Sequence, residues 1–233
     1  MARPQLAQRT WGLGDVVLWF VVAQVTSILI GGLLLVAAGY DGGDTYPMWL
    51  AALLQIPLWV GYLGGPLLVT RFKGRGLVED LGARIEARDI LPGIGLGLVA
   101  QLVVIPLLYY LVILRLVDGD LSGPARDLTD RADGPLGVTL LILVAAVGAP
   151  LVEELFYRGF LLRGLERRFG PTPALWISSI VFAAIHFQPL QFPALLIFGL
   201  LAGWLALRTG RLGPSWAAHV GFNAITVLIL LFT

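Results

Sequence analysis

The sequence predicts an all-α, polytopic transmembrane bundle of about seven spans with a cytoplasmic N-terminus, and three observations carry that reading. Hydrophobic residues make up 58% of the 233-residue chain and charged residues 13%, with a mean hydropathy of +0.85; a soluble domain carries about 25% charged residues. The apolar residues gather in uncharged runs that match the length of about 20 residues a helix needs to cross a hydrocarbon core about 30 Å thick. The charges between those runs segregate. With the N-terminus inside, all of the 16 basic residues except Arg115, Arg126 and Arg131 fall on the cytoplasmic side, the bias that orients membrane proteins.

The first run, residues 16–38, follows Arg3 and Arg9 and precedes an acidic turn at 41–44. A cleavable signal has an apolar core of only about 7–15 residues, so this run reads as a retained span. The second run, 46–70, leads into a basic linker at 71–89, where Leu77, Leu81 and Ile85 recur every four residues. That spacing fits a short amphipathic surface helix, and a solvated loop fits equally well. The third run, 90–114, contains Pro92 and Pro106 and ends in a polar loop at 118–133. A fourth helix starts near Gly134 and continues beyond the bilayer to Arg168. The uncharged stretch 169–207 is too long for one span and divides in two at a proline-flanked turn, 188–193. The seventh run is 212–233. The chain thus divides into an N-terminal three-span region, 1–133, and a four-span region, 134–233, within a single membrane domain; the charge bias puts the C-terminus outside.

Zero cysteines exclude disulfides, thiol nucleophiles and Cys-ligated zinc, leaving oxygen and histidine nitrogen for any chemistry. The stretch that interrupts the apolar pattern is Leu-Val-Glu-Glu-Leu-Phe-Tyr-Arg at 151–158. On a helix Glu154 and Arg158 share a face with the acid N-terminal to the base, a favourable pair, while Glu153 points about 100° away and is left unpaired. An ionisable group at membrane depth reads as functional by default. The only two histidines, His186 and His219, lie in later spans. Phe182 precedes His186 by one turn, and Ser215, His219 and Asn223 form a polar stripe at a spacing of four. Taken singly, such groups serve as interhelical hydrogen bonds. Their register adds to this: Glu153 and His186 lie almost equally far from the turn near 169–171, and all the unusual polar groups converge on one layer about 10–15 Å below the cytoplasmic surface.

Glu153-Glu154-x-x-x-Arg158, Phe182-x-x-x-His186 and His219-x-x-x-Asn223, in this order, resemble the three motifs of the type II CAAX protease and bacteriocin-processing (CPBP, or Abi) family of intramembrane endopeptidases. The resemblance implies peptide-bond hydrolysis in the membrane near its cytoplasmic face. Glu153 would take a proton from water, His186 would hold that water, and His219 and Asn223 would donate to the oxyanion. Glu154 with Arg158 would fix the motif's geometry, or Arg158 would receive a substrate carboxylate. This mechanism requires no cofactor. A catalytic zinc held by Glu153, His186 and His219 is the alternative, although the sequence lacks the HExxH arrangement.

The expected partners are the bilayer and a membrane-associated protein or peptide substrate, including ones lipidated at the C-terminus; nucleic acid is not expected. Eukaryotic members remove the last three residues of prenylated Cys-a-a-X proteins, and bacterial ones are linked to peptide maturation or self-immunity. The expected location is the cytoplasmic membrane of a bacterium. Two other functions use the same groups: an ion- or proton-coupled transporter relaying through the Glu and His side chains, and a non-catalytic scaffold or immunity factor.

Overall fold

The computed structural model describes residues 11–41, 45–111 and 123–232; Arg3, Arg9, Arg115, Thr233 and parts of the loops at 41–44 and 118–133 lie outside them. The described residues are helical, without strands: α1 (Leu13–Ala37), α2 (Met48–Lys73), α3 (Leu77–Leu81), α4 (Ala87–Leu111), α5 (Gly123–Thr129), α6 (Gly134–Phe169), α7 (Pro171–Ala184), α8 (Phe192–Thr209) and α9 (Gly213–Phe232). Six of these (α1, α2, α4, α6, α8 and α9) are long and apolar enough to cross a membrane, and α7 is a shorter apolar helix. The protein is an integral, multi-pass membrane protein.

The seventh expected span is α7, whose 14 residues reach about 21 Å at 1.5 Å per residue, short of a hydrocarbon core of about 30 Å. The chain turns back at 185–191, earlier than the expected 188–193, because Pro193 sits in the first turn of α8, where a missing N–H costs nothing. Phe187 takes a left-handed φ of 53° in this turn, and the Tyr109 hydroxyl of α4 donates to the Leu190 carbonyl at 2.5 Å. Helix α6, by contrast, has 36 residues, about 54 Å, and so projects from the bilayer as expected.

The projecting end of α6 meets the basic linker. Arg167 donates to the Trp11 carbonyl at 3.3 Å, stacks 3.5 Å over the Trp11 ring and lies 3.9 Å from Asp80 of α3. Helix α3 closes at Gly82 (φ +69°), so Leu77 and Leu81 share it but Ile85 does not. Beyond it the linker straps the α8–α9 turn: Leu212 N–H donates to Gly82 at 2.8 Å and Gly213 N–H to Arg84 at 3.0 Å. Arg211 reaches both oxygens of Asp89, at 3.1 and 3.0 Å through Nε. These bonds hold the Arg211 guanidinium above its ordinary proton affinity. Linker, α6 terminus and α8–α9 turn therefore share one end of the bundle, the grouping that charge segregation requires.

Helices α4 and α9 approach very closely. A Cβ on Gly97 of α4 would stand 2.7 Å from the Phe222 backbone nitrogen of α9, and one on Gly93 would stand 2.9 Å from the Pro214 carbonyl. This is the small-xxx-small contact by which membrane helices gain van der Waals packing where lipid provides no hydrophobic drive. A single aromatic core, with Tyr62, Phe156, Phe160, Phe182 and Phe198, joins the regions before and after residue 133.

Candidate functional site

Helix α6 carries two π segments, Ile142–Gly148 and Glu154–Leu161, and the first has an identifiable cause. Ala149 N–H bonds to Val144, five residues back; in that register the next donor is Pro150, which has none. The Ala145 carbonyl is freed, and Asn223 of α9 donates to it from Nδ2 at 2.9 Å. A neighbouring helix thus re-satisfies a proline-broken ladder inside the membrane and brings Asn223 beside the motif.

The second π segment holds the motif. Glu154 and Arg158 are almost fully buried, with side-chain exposures of 1% and 2%, and their Oε1 and Nη1 stand 3.0 Å apart. The guanidinium lies 4.1 Å from the Phe182 ring centroid. The same Glu154 Oε1 accepts from His219 Nδ1 at 2.9 Å, so one carboxylate joins the base of its own helix to the histidine of α9. His219 packs between Phe198, 4.7 Å from its ring, and Phe182, 5.9 Å. Held this way, its Nε2 lies 3.8 Å from Glu153 Oε2, whose side chain is 22% exposed. His186 follows the last turn of α7, and its Nδ1 donates to the Phe182 carbonyl at 2.7 Å. That fixes the tautomer of a neutral ring and leaves Nε2 as an acceptor.

Glu153, His186, His219 and Asn223 line one cavity of about 640 Å³; Glu154 and Arg158 do not. The two adjacent glutamates therefore differ as the helical spacing predicts: Glu154 is paired behind the wall and Glu153 is on it. Ser215, expected in the polar stripe, donates to the Leu212 carbonyl one turn back. Among the described residues no group of three or more His, Asp or Glu side chains is placed to hold a metal ion.

Sequence reasoning did not single out the far wall of the cavity, where Gln101 and Tyr109 of α4, Thr129 of α5 and Gln188 and Gln191 of the 185–191 turn contribute polar groups. Gln101 had a signal, being the lone amide in the run 90–114; Tyr109 had none. Nor did spacing suggest the contact behind the motif, where the Tyr62 and Tyr157 hydroxyls stand 2.6 Å apart and Gln24 donates to Tyr62 at 2.8 Å.

Residues 135–225 match the family model described as type II CAAX prenyl endopeptidase Rce1-like. The chain is also similar to the "Putative membrane peptidase YdiL" of Bacillus subtilis (strain 168), 27% identical over 94 residues, which cover 40% of this chain and 38% of that protein. No solved structure gives a significant match. The motif residues Glu153, Glu154, Arg158, His186, His219 and Asn223 all fall inside the matched segment, and both matches support the type II CAAX endopeptidase (CPBP) family for it.

Proposed function

We propose that the protein is an intramembrane endopeptidase that hydrolyses a peptide bond with Glu153 as proton acceptor. The observation that carries this reading is the division of labour between the two glutamates: Glu153 stands on the cavity wall 3.8 Å from His219 Nε2, while Glu154 is bound to Arg158 and His219 behind it.

Amide hydrolysis needs an activated water, a stabilised oxyanion and a proton for the leaving amine. A water held between Glu153 and the free Nε2 of His186 gives its proton to Glu153 as its oxygen attacks the carbonyl carbon. The carbonyl π pair becomes the oxyanion. The second amide hydrogen of Asn223 is available to it, since Nδ2 carries two and spends one on Ala145. His219 joins as a donor when its ring carries both protons, because Nδ1–H is directed to Glu154. As the tetrahedral intermediate collapses, the C–N bond breaks and Glu153 returns its proton to the departing nitrogen. Glu154 and Arg158 act through His219 and are positioning residues. No cofactor enters this sequence. The basic end of the bundle is assigned to the cytoplasm, and the membrane to the plasma membrane of a bacterium.

The test is Glu153→Gln, which is nearly isosteric and leaves no ion unpaired. It should fold with wild-type thermal stability in detergent and lose peptide cleavage; near-normal turnover would withdraw the assignment.

A further inference from the structure

The motif residues lie in α6, in α7 and the turn after it, and in α9, yet the motif helix is also bonded from its other side, by α1 and α2. A glycine sets the approach of those two helices: a Cβ on Gly61 of α2 would stand 2.6 Å from the Cα of Ala23 of α1. The next residues along each helix, Gln24 and Tyr62, are thereby brought side by side, and Gln24 donates from Nε2 to the Tyr62 hydroxyl at 2.8 Å. Tyr62 is 2% exposed, and its ring stacks on Phe156 of α6 with the centroids 4.2 Å apart. Its hydroxyl stands 2.6 Å from that of Tyr157, which is also buried.

Tyr157 follows Glu153 by four residues, so the two are neighbours on α6. The Tyr157 ring also meets Phe182 edge-on at 5.3 Å, and Phe182 in turn meets His186 at 4.9 Å and His219 at 5.9 Å. The hydrogen count gives the tyrosine pair a direction. Two hydroxyls carry two hydrogens, the bond between them uses one, and Gln24 supplies a further donor. One hydroxyl hydrogen is left for another acceptor, and leaving it unmet in a buried site is costly. The Glu153 carboxylate is the group of the motif whose negative charge acts on both hydroxyls.

Resting on the peptidase reading, we propose that Tyr62 is a positioning residue for the reaction: held by Gln24 and acting through Tyr157, it fixes the Glu153 carboxylate on the cavity wall, toward the water it deprotonates. The N-terminal helices α1 and α2 are then part of the reaction centre, although every motif residue belongs to the later four-span region. A misplaced Glu153 leaves the contacts of substrate along the cavity intact, so the loss falls on turnover and not on substrate binding.

Two substitutions test this. Tyr62→Phe keeps the stack on Phe156 and removes only the oxygen, and Gln24→Met keeps the side-chain length and removes the donor. The substrates are internally quenched Cys-a-a-X peptides with and without a farnesyl group, given to the full chain in detergent. Both variants should lower kcat by about 10- to 100-fold, the cost of a small misplacement of a reacting group, with KM and melting temperature near wild type. Tyr62→Phe should add no further loss in a Tyr157→Phe background, because it acts through that hydroxyl. The infrared carboxyl band that disappears in Glu153→Gln should shift in Tyr62→Phe, which a merely structural role would not produce. An unchanged kcat, a loss that follows the melting temperature or adds fully to that of Tyr157→Phe, or an unmoved band overturns the proposal. A chain whose band shifts but which cleaves neither peptide refutes the peptidase reading alone, and one that cleaves with kcat and band unchanged in both variants refutes this inference alone.

Discussion

His219 Nδ1 and Glu154 Oε1, 65 residues apart in the chain, stand 2.9 Å apart in the buried interior. The same oxygen lies 3.0 Å from Arg158, so a single atom ties the orientation of His219 to the ion pair of α6. Glu154 thereby sets where His219 Nε2 points, without itself facing the cavity.

Removing either member of that pair leaves its partner as a buried, uncompensated charge. Glu154→Gln or Arg158→Ala should therefore destabilise the protein by about 3–5 kcal/mol, visible as a lower folded yield and an earlier thermal transition in detergent. Glu153→Gln, measured beside them, should show neither effect. Equal stability across all three variants would show that the pair is solvated.

Asn223→Ala should act on two levels. It strips the Ala145 carbonyl of the donor that replaces Pro150's absent N–H, a loss of about 0.6–1.7 kcal/mol for an interhelical hydrogen bond in a membrane. It also removes an oxyanion donor, worth about 10²–10³ in turnover. Unfolding and single-turnover kinetics on one preparation separate the two. A turnover loss below tenfold would reduce Asn223 to a brace for the π segment.

The α4–α9 contact predicts a contrast between two glycines on one helix. A methyl group at Gly97 would press on the backbone nitrogen of Phe222 at 2.7 Å, whereas Gly95 has no atom within 4 Å of a Cβ position. Gly97→Ala should cost about 1–3 kcal/mol through overpacking and displace the helix bearing His219 and Asn223, lowering activity as well. Gly95→Ala should leave both unchanged. Thermal melts followed by circular dichroism, with peptide cleavage on the same samples, check this.

Metal dependence is decided by stoichiometry. If Glu153 works without metal, purified enzyme should cleave peptide at full rate with well below one equivalent of zinc, and a chelator should leave turnover unchanged. About one equivalent of zinc, lost in both His186→Ala and His219→Ala, would replace this mechanism with a metal-assisted one.

Helix type, span positions, the long α6 and the pairing of Glu154 with Arg158 were legible in the sequence because each follows from local rules: run length against bilayer thickness, charge placement, and the helical repeat. Membership of Glu153, His186, His219 and Asn223 in one cavity was legible as ordered motifs with compatible register. Other features lay beyond local rules. The early turn after Ala184 depends on Pro193 being taken into α8 and on Tyr109, 81 residues earlier than Leu190 in the chain. The attachment of Asn223 to Ala145 depends on a π register that frees one particular carbonyl. The Glu154–His219 hydrogen bond and the polar far wall arise only where α4, α6 and α9 meet. Sequence periodicity states which face of a helix a residue occupies, but which other helix that face meets, and at what height, is decided by close packing of several helices at once. In this protein the small residues Gly93, Gly97 and Gly221 allow that packing.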